Sequence, residues 1–280
     1  MTVRVVTDSA ADIPAELARS KDITVVPLTV RFGSESYLSG VELGPDEFWQ
    51  KLRTSSESPA TAAPSAGDFQ QAFERLVADG ATGIVSLHLS SKLSATYQSA
   101  AVAAKEVTSV PIAVIDTLGV SASQGLLALH ATERAGQGAD VAAIAAEIES
   151  LRARVRLIGT IDTLEYLRRG GRIGGAQALL GTMLKFKPII GLSDGVVEPV
   201  GRVRTRAKAL EHIVELVQHD AAKIERLVVI SANAPDTDRF LELLDGVLHV
   251  EPGDVWAFGP IVGTHAGPGV IGVAYILTGD

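Results

Sequence analysis

The sequence contains no cysteine. That excludes a disulfide, a thiolate nucleophile, a Cys-ligated zinc and a Cys-held iron–sulfur cluster. Aromatic residues are scarce, at 5% of 280, so the chain has little with which to build a stacking platform for nucleic acid. Positive charge is in deficit. Lys and Arg total 25 against 33 Asp and Glu, a net charge of −8, which opposes nonspecific binding along a phosphate backbone but leaves room for a local basic patch. The N-terminal segment MTVRVVTDSAADIP has no apolar core of signal-peptide length. It reads as a strand and turn of the mature fold, and the expected location is the cytoplasm.

Residues Val255 to Gly279 carry no Asp, Glu, Lys or Arg. A spanning helix needs ~20 residues, so the length suffices. Pro260, Pro268, Gly259, Gly263, Gly267, Gly269 and Gly272 would break such a helix repeatedly. The expected reading is a strand near Val255–Phe258, a Gly/Pro loop, and a buried strand near Val270–Leu277. No stable membrane insertion is expected, only transient contact with a membrane surface.

What is present is ordinary for a globular protein: 46% apolar and 21% charged residues. A length of 280 residues gives a prior of about two domains at ~150 residues each. The first half alternates strand and helix. Apolar strands are expected at Val3–Thr7, Ile23–Phe32, Gly83–Leu89 and Pro111–Asp116, with helices at Pro45–Arg53, Phe69–Ala78, Ser94–Glu106, Ser123–Ala135 and Val141–Val155. Asp12 or Ser9 is placed to cap a helix begun by Ile13 and Pro14. TSSESPATAAPSAGD reads as a loop. This alternation implies a mostly parallel sheet with helices on both faces.

The second half mixes hairpins and helices. Strands are expected at Arg156–Ile161 and Leu227–Ala232, with helices at Thr163–Arg168, Ala176–Leu184, Thr205–Gln218 and Asp238–Leu248. Asp194-Gly195 between Pro188–Leu192 and Val196–Val203 is a strong hairpin signal. The fold class is therefore α/β in two domains, 1–155 and 156–280, the second an α+β domain with a mixed sheet.

Familiar catalytic signatures fail. GPGVIG at 267–272 matches G-x-G-x-x-G, but only eight residues follow it. A dinucleotide fold needs a helix, a strand and an acidic residue ~20 positions on. There is no P-loop and no G-x-S-x-G elbow. The histidines, at 88, 130, 212, 219, 249 and 265, form no close metal pair, so neither metal nor cofactor is expected. Four polar loops remain at strand ends: TDS at 7–9, ATAAPS at 60–65, SSKLSATYQSA at 90–100 and DTLGVS at 116–121. In parallel α/β sheets ligands bind beyond the carboxyl ends of the strands. These hydroxyl-rich loops suit holding an anion better than breaking a bond.

Taken in order, VTDSAADIP, the T-x-x-P-S segment at Thr61–Ser65, SSKLSATYQSA, DTLGVSASQGLL at 116–127, LEYLRRGGRIGG at 164–175, KPII at 187–190, GRVRTRAKAL at 201–210 and GPIVGTHAGPGVIG at 259–272 resemble the DegV family of fatty-acid-binding proteins. The resemblance runs nearly end to end. It implies a two-domain α/β protein with a long-chain fatty acid buried between the domains. It also implies a partner, a separate ATP-dependent fatty acid kinase that turns the presented carboxylate into an acyl phosphate for phospholipid synthesis. The protein would then be a bacterial binding subunit without chemistry of its own. The family's carboxylate-binding threonine, serine and histidine fall on Thr61, Ser94 and His265. Ser9, Thr264 and Gly267 are further pocket candidates. Ala62 stands where the family often has serine, and Ala95 where it usually has glycine.

Elementary energetics fit those residue types. Each charge-assisted hydrogen bond to a buried carboxylate contributes ~1.5–3 kcal/mol. A tail of ~15 carbons at ~0.8 kcal/mol per buried CH₂ contributes a gross ~12 kcal/mol. The tail therefore sets affinity and the head group sets register. Arg168, Arg169 and Arg172 form one basic cluster, and Arg202, Arg204 and Arg206 another at a period of two, which on a strand points all three one way. Arg169, Arg172, Arg202 and Arg204 are the candidates for docking the partner. Two other readings stay open at this point: a small hydrolase or phosphotransfer enzyme at the same loops, and a lipid-sensing regulatory module.

Overall fold

The computed structural model describes residues 2–182 and 186–279. Four parallel strands form the first sheet, in the order β2-β1-β6-β7: β1 (Val3–Asp8), β2 (Ile23–Val26), β6 (Gly83–His88) and β7 (Ile112–Asp116). Because both faces are covered, β6 is buried at every residue. Val6 and Ile84 pack with Phe69, Phe73, Ala100 and Ala103 of α3 (Ala66–Ala78) and α4 (Thr96–Glu106). Val5, Val85 and Leu87 face the opposite way, toward α1 (Ala15–Ser20), α5 (Ala122–Gly136) and α6 (Val141–Leu151).

A second sheet of three antiparallel strands, in the order β4-β3-β5, comprises β3 (Thr29–Phe32), β4 (Glu35–Leu38) and β5 (Pro59–Ala62), with α2 (Pro45–Thr54) between β4 and β5 in sequence. Three expectations change here. The run Ile23–Phe32 is not one strand: it breaks at Pro27-Leu28, and its halves join different sheets. Proline has no N–H for a ladder, and the Leu28 N–H instead donates to Ser9 Oγ at 2.9 Å. The Ser/Thr/Pro-rich loop contains β5, in which Thr61 pairs with Val30. Nor do Ser9 and Asp12 cap a helix at Ile13. Asp8 caps the 3₁₀ turn 9–11, Asp12 adopts a left-handed φ of 53°, and α1 begins after Pro14 with no side-chain cap.

The third sheet is mixed, in the order β10-β9-β8-β13-β11-β12. Its strands are β8 (Val155–Thr160), β9 (Lys187–Ser193), β10 (Val196–Val203), β11 (Ile224–Ser231), β12 (Val255–Ala257) and β13 (Ile271–Leu277), joined by α7 (Glu165–Arg169), α8 (Arg206–Asp220), α9 (Thr237–Asp245) and α10 (Pro260–Ala266). Asp194 and Gly195 both have positive φ, 47° and 77°, and close the β9–β10 hairpin as expected. The helix expected from Val141 to Val155 ends at Leu151, followed by a 3₁₀ turn. The helix expected at Ala176–Leu184 is a 3₁₀ segment over 174–182, and Leu184 lies outside the described residues. Arg206 opens α8 rather than continuing β10, so it leaves the stripe of Arg202 and Arg204 and pairs with Asp236 instead. The Gly/Pro loop expected after Phe258 is α10, with Gly259 as N-cap and Pro260 at the first helical position. Among the described residues no helix is long and apolar enough to cross a membrane.

Helix α5 lies between the parallel sheet and the mixed sheet, in contact with β1, β6, β8 and β13. Nine of its residues are buried, and they lie all around the helix rather than on one stripe. Gly125 lets the sheets approach: a Cβ there would meet a Trp256 ring carbon at 2.6 Å and the Ala11 carbonyl at 2.8 Å.

Candidate functional site

A cavity of about 120 Å³, measured at the centre of a water-sized sphere, opens between the strand-end loops of the first half and the mixed sheet. One wall comes from Leu28, Leu89, Leu93 and Val120, the other from Leu157, Ile190, Leu192 and Ile230, and Phe258, Ile261 and Val262 flank them. On the sheet, Gly159 and Gly272 face each other in register, and both line the cavity. Neither could carry a side chain without displacing the facing strand: a Cβ on Gly159 would be 2.9 Å from the Ile271 carbonyl oxygen, and one on Gly272 would be 2.2 Å from that of Ile158.

Four side chains with polar ends enter this apolar wall: Thr61, Ser94, Arg172 and His265. The three expected at a head group therefore share one cavity, although Thr61 and His265 are 204 residues apart. Thr61 is delivered by the β3–β5 pairing and His265 by α10, which packs on both strands. Thr61 Oγ1 and His265 Nε2 are 2.9 Å apart. Ser94 Oγ lies 2.9 Å from Thr96 Oγ1 and accepts from the Thr96 N–H at the start of α4. Ala95 has φ −78° and ψ 3°, ordinary for an L-residue.

Burial, and then the nearby positive charge of Arg172, lowers the His265 pKa to about 4. The imidazole is therefore neutral at pH 7 and does not bring a positive charge to the site. Its Nδ1 is buried without a hydrogen-bond partner among the described residues. An N–H there would be orphaned, so we assign the proton to Nε2, which donates it to Thr61 Oγ1. The Thr61 hydroxyl proton is then free to serve an acceptor in the cavity.

Ser9, Thr264 and Gly267 do not line the cavity. The Ser9 oxygen accepts from Leu28, the Thr264 hydroxyl donates to the Pro260 carbonyl within α10, and Gly267 sits against the Tyr166 ring. Arg172 is displaced the other way. It is half-buried in the cavity wall, where Nε donates to the Leu93 carbonyl at 2.9 Å and the guanidinium also bonds the Gly170 carbonyl. Arg169, Arg202 and Arg204 are exposed. Arg169 pairs with Glu165, and Arg202 lies 5.3 Å from the centre of the Phe186 ring.

A chain with the hydrogen-bond order of a Ser–His–Asp triad also exists. Ser86 Oγ is 2.7 Å from His88 Nε2, and His88 Nδ1 is 2.9 Å from Asp8 Oδ2. All three residues are fully buried, none lines the cavity, and Phe69 packs edge-on against the imidazole. A substrate carbonyl has no route to Ser86 in this conformation, so the geometry gives the hydrolase reading no support.

Asp12 fixes the helix that carries His265. Its Oδ2 accepts from the Ser121 hydroxyl at 2.6 Å, and its Oδ1 accepts from the Gly259 N–H, at the N-cap of α10, at 2.9 Å. Burial raises its pKa from 3.8 to about 7, against the opposing pull of those two hydrogen bonds. With the folded value above the unfolded one, Asp12's contribution to stability is full below pH 3.8 and is lost as pH rises through 7. His265 runs the other way: its contribution is full above pH 6.5 and is lost as pH falls toward 4. Asp12→Asn keeps both hydrogen bonds, because an amide can accept from Gly259 and donate to Ser121. Asp12 is not fully buried, so solvent moderates the effect. The variant is expected to gain about 2 kcal/mol over wild type between pH 5 and pH 8, read by urea unfolding at both pH values. An identical difference at the two pH values would refute this.

With the geometry in place, comparison with known proteins gives a consistent answer. A relative from Streptomyces coelicolor, a DegV domain-containing protein, is 38% identical over 278 residues, 97% of each chain. A DegV family protein from Thermus thermophilus, described as fatty-acid binding, superposes with a TM-score of 0.90 at 36% identity, covering 99% of this chain and 100% of that one. DegV of Bacillus subtilis, described as a fatty acid binding protein, gives 0.89 at 34% identity with the same coverage. The sequence model of the DegV family, described as one of uncharacterised proteins, matches residues 2–278, and the chain belongs to that family.

Proposed function

We propose that this protein binds one long-chain fatty acid in the cavity between its two halves, 1–155 and 156–280, and presents the carboxylate to a separate ATP-dependent fatty acid kinase. The observation that carries the reading is the cavity itself, an apolar wall with Thr61, Ser94, Arg172 and His265 as its polar contribution. A fatty acid has the same division into a long apolar part and one small anionic end. The solved relatives described as fatty-acid binding share the fold at 34–36% identity and support the ligand class.

Within this reading, Thr61 and Ser94 donate their hydroxyl protons to the carboxylate. His265 stays neutral and holds the Thr61 hydroxyl in its donating orientation. Among the described residues that line the cavity, Arg172 supplies the one fixed positive charge, and two of its nitrogens already bond backbone carbonyls. A carboxylate oxygen stays free to attack the γ-phosphate of ATP on the kinase, forming the acyl phosphate and releasing ADP. The protein acts in the cytoplasm as a non-catalytic subunit. Arg169, Arg202 and Arg204, exposed on an acidic protein, form the contact for the kinase or its nucleotide phosphates.

Mass spectrometry of small molecules extracted from freshly purified protein tests this directly. A long-chain fatty acid in a one-to-one ratio is the expected result. Thr61→Ala and Ser94→Ala are each expected to stay folded and to weaken binding about tenfold, the loss of one hydrogen bond to a charged group. Protein that yields no fatty acid, and takes none up after delipidation, would sink the reading.

A further inference from the structure

Helices α7 and α10 pack through two aromatic rings, each seated on a glycine of the other segment. The Tyr166 ring lies on Gly267, where a Cβ would be 2.4 Å from a ring carbon. The His265 ring lies on Gly170, where a Cβ would be 2.1 Å from Nδ1 and 2.8 Å from Cε1. We propose that Gly170 is a positioning residue for the head-group site: its missing side chain is the seat that holds the His265 imidazole against Thr61.

The neighbouring glycine shows why this is not a helix-ending glycine of the usual kind. Gly171 has a φ of 71°, which favours glycine on backbone grounds, and a Cβ there would meet nothing within 4 Å. Gly170 is the opposite case. Its φ of −74° and ψ of −8° suit any L-residue, so its backbone does not call for glycine, and only the ring above it does. The two glycines of one dipeptide thus answer two different demands, one on the main chain and one on space.

A methyl group at Gly170 forces the ring back by about 1 Å to restore a van der Waals contact. The imidazole is the movable partner, since Gly170 is held by its N–H bond to the Tyr166 carbonyl and by the Arg172 bond to its own carbonyl. The 2.9 Å contact between Nε2 and Thr61 Oγ1 is then lost, and the threonine hydroxyl no longer has its donor.

The binding arm of the test rests on the fatty-acid reading above. A second arm, NMR of the imidazole nitrogens in the ligand-free protein, does not. Hexadecanoate affinity is measured for wild type, Gly170→Ala, His265→Ala and the double variant. Gly170→Ala is expected to bind about tenfold more weakly than wild type. In the His265→Ala background the methyl has no ring to displace, so the same change is expected to alter affinity by less than about twofold. Wild-type nitrogen shifts are expected to report the Nε2-protonated tautomer, and Gly170→Ala to move the Nε2 shift as its hydrogen bond to Thr61 is lost. Gly171→Ala, strained only in its backbone, is expected to lower stability and leave those shifts in place. Should Gly170→Ala fail to fold, restored folding in the double variant still identifies the ring as the obstacle, and continued failure overturns the proposal. Unchanged shifts in Gly170→Ala, or equal affinity loss in both backgrounds, would also overturn it. A wild-type protein that binds no hexadecanoate would refute the fatty-acid reading, and the NMR arm would still decide the seat.

Discussion

Replacing Asp8 by alanine is expected to cost about 3–5 kcal/mol of stability, the range for removing one partner from a buried charged network. Asp8 is fully buried at the end of β1, and its carboxylate accepts four hydrogen bonds. Oδ1 takes the Ala10 N–H at 3.0 Å. Oδ2 takes His88 Nδ1 at 2.9 Å, the Leu89 N–H at 3.1 Å and Gln124 Nε2 at 2.9 Å. Alanine leaves the Ala10 and Leu89 N–H groups and His88 Nδ1 without that acceptor in a fully buried region, while Gln124 Nε2 keeps its bond to Thr7 Oγ1 at 3.0 Å. The isosteric Asp8→Asn is also expected to be costly, at about 2 kcal/mol. Whichever way the amide is turned, its NH₂ meets at least one donor that the carboxylate had satisfied. Urea unfolding of both variants checks the point. A loss below about 1 kcal/mol for Asp8→Ala would show that His88 and the two freed N–H groups find other partners.

Val262→Trp is expected to abolish high-affinity fatty-acid binding while leaving the fold intact. Val262 lies on α10, is half-buried and lines the cavity. An indole there takes the space a tail would fill, and the cavity gives the ring somewhere to go without overpacking the core. A bound tail of ~15 carbons would supply a gross ~12 kcal/mol, so excluding even a few methylenes would outweigh any single head-group contact. The affinity loss is expected to be at least about 100-fold, against about tenfold for Thr61→Ala. A lipid-binding titration of the two variants side by side checks the ranking. Unchanged affinity in Val262→Trp would place the tail somewhere other than this cavity.

The parallel sheet was legible because β1 and β6 carry apolar cores, Val3, Val5 and Val6 in one and Ile84, Val85 and Leu87 in the other, in a pattern that alternates with helices. The Asp194-Gly195 hairpin was legible because its turn requires positive φ twice. Thr61, Ser94 and His265 were named through family resemblance, and their shared cavity is a property of tertiary structure. Strand β5 was missed because Pro59, Ala60 and Ala62 have low strand propensity, so its pairing with β3 is imposed from outside. Helix α10 had a readable signal in Gly259-Pro260, obscured by its seven-residue length and by Gly263 within it. Arg172 looked like surface charge because spacing alone does not reveal which arginine of a cluster turns inward. The Asp8–His88–Ser86 chain was invisible for a different reason. Ser86 and His88 share a strand face at i and i+2, but Asp8 reaches them only through the register that pairs Val6 with Ser86.

Helix α5 also bears on how the chain comes off the ribosome. By the time its last residue has been made, the parallel sheet has all its strands, yet every strand of the mixed sheet is still unsynthesised. The side of α5 destined for β8 and β13 stays uncovered until Leu277, the last residue of β13, has emerged. At ~5–20 residues per second, the 141 residues from Gly136 to Leu277 take roughly 7–28 seconds to appear. For that interval the nascent first half presents a sticky apolar flank, the kind of surface that chaperones hold and that aggregates form on. A gene truncated near codon 155 would make that exposure permanent, so the first half, despite its complete sheet, is poorly suited to life as a separate soluble product.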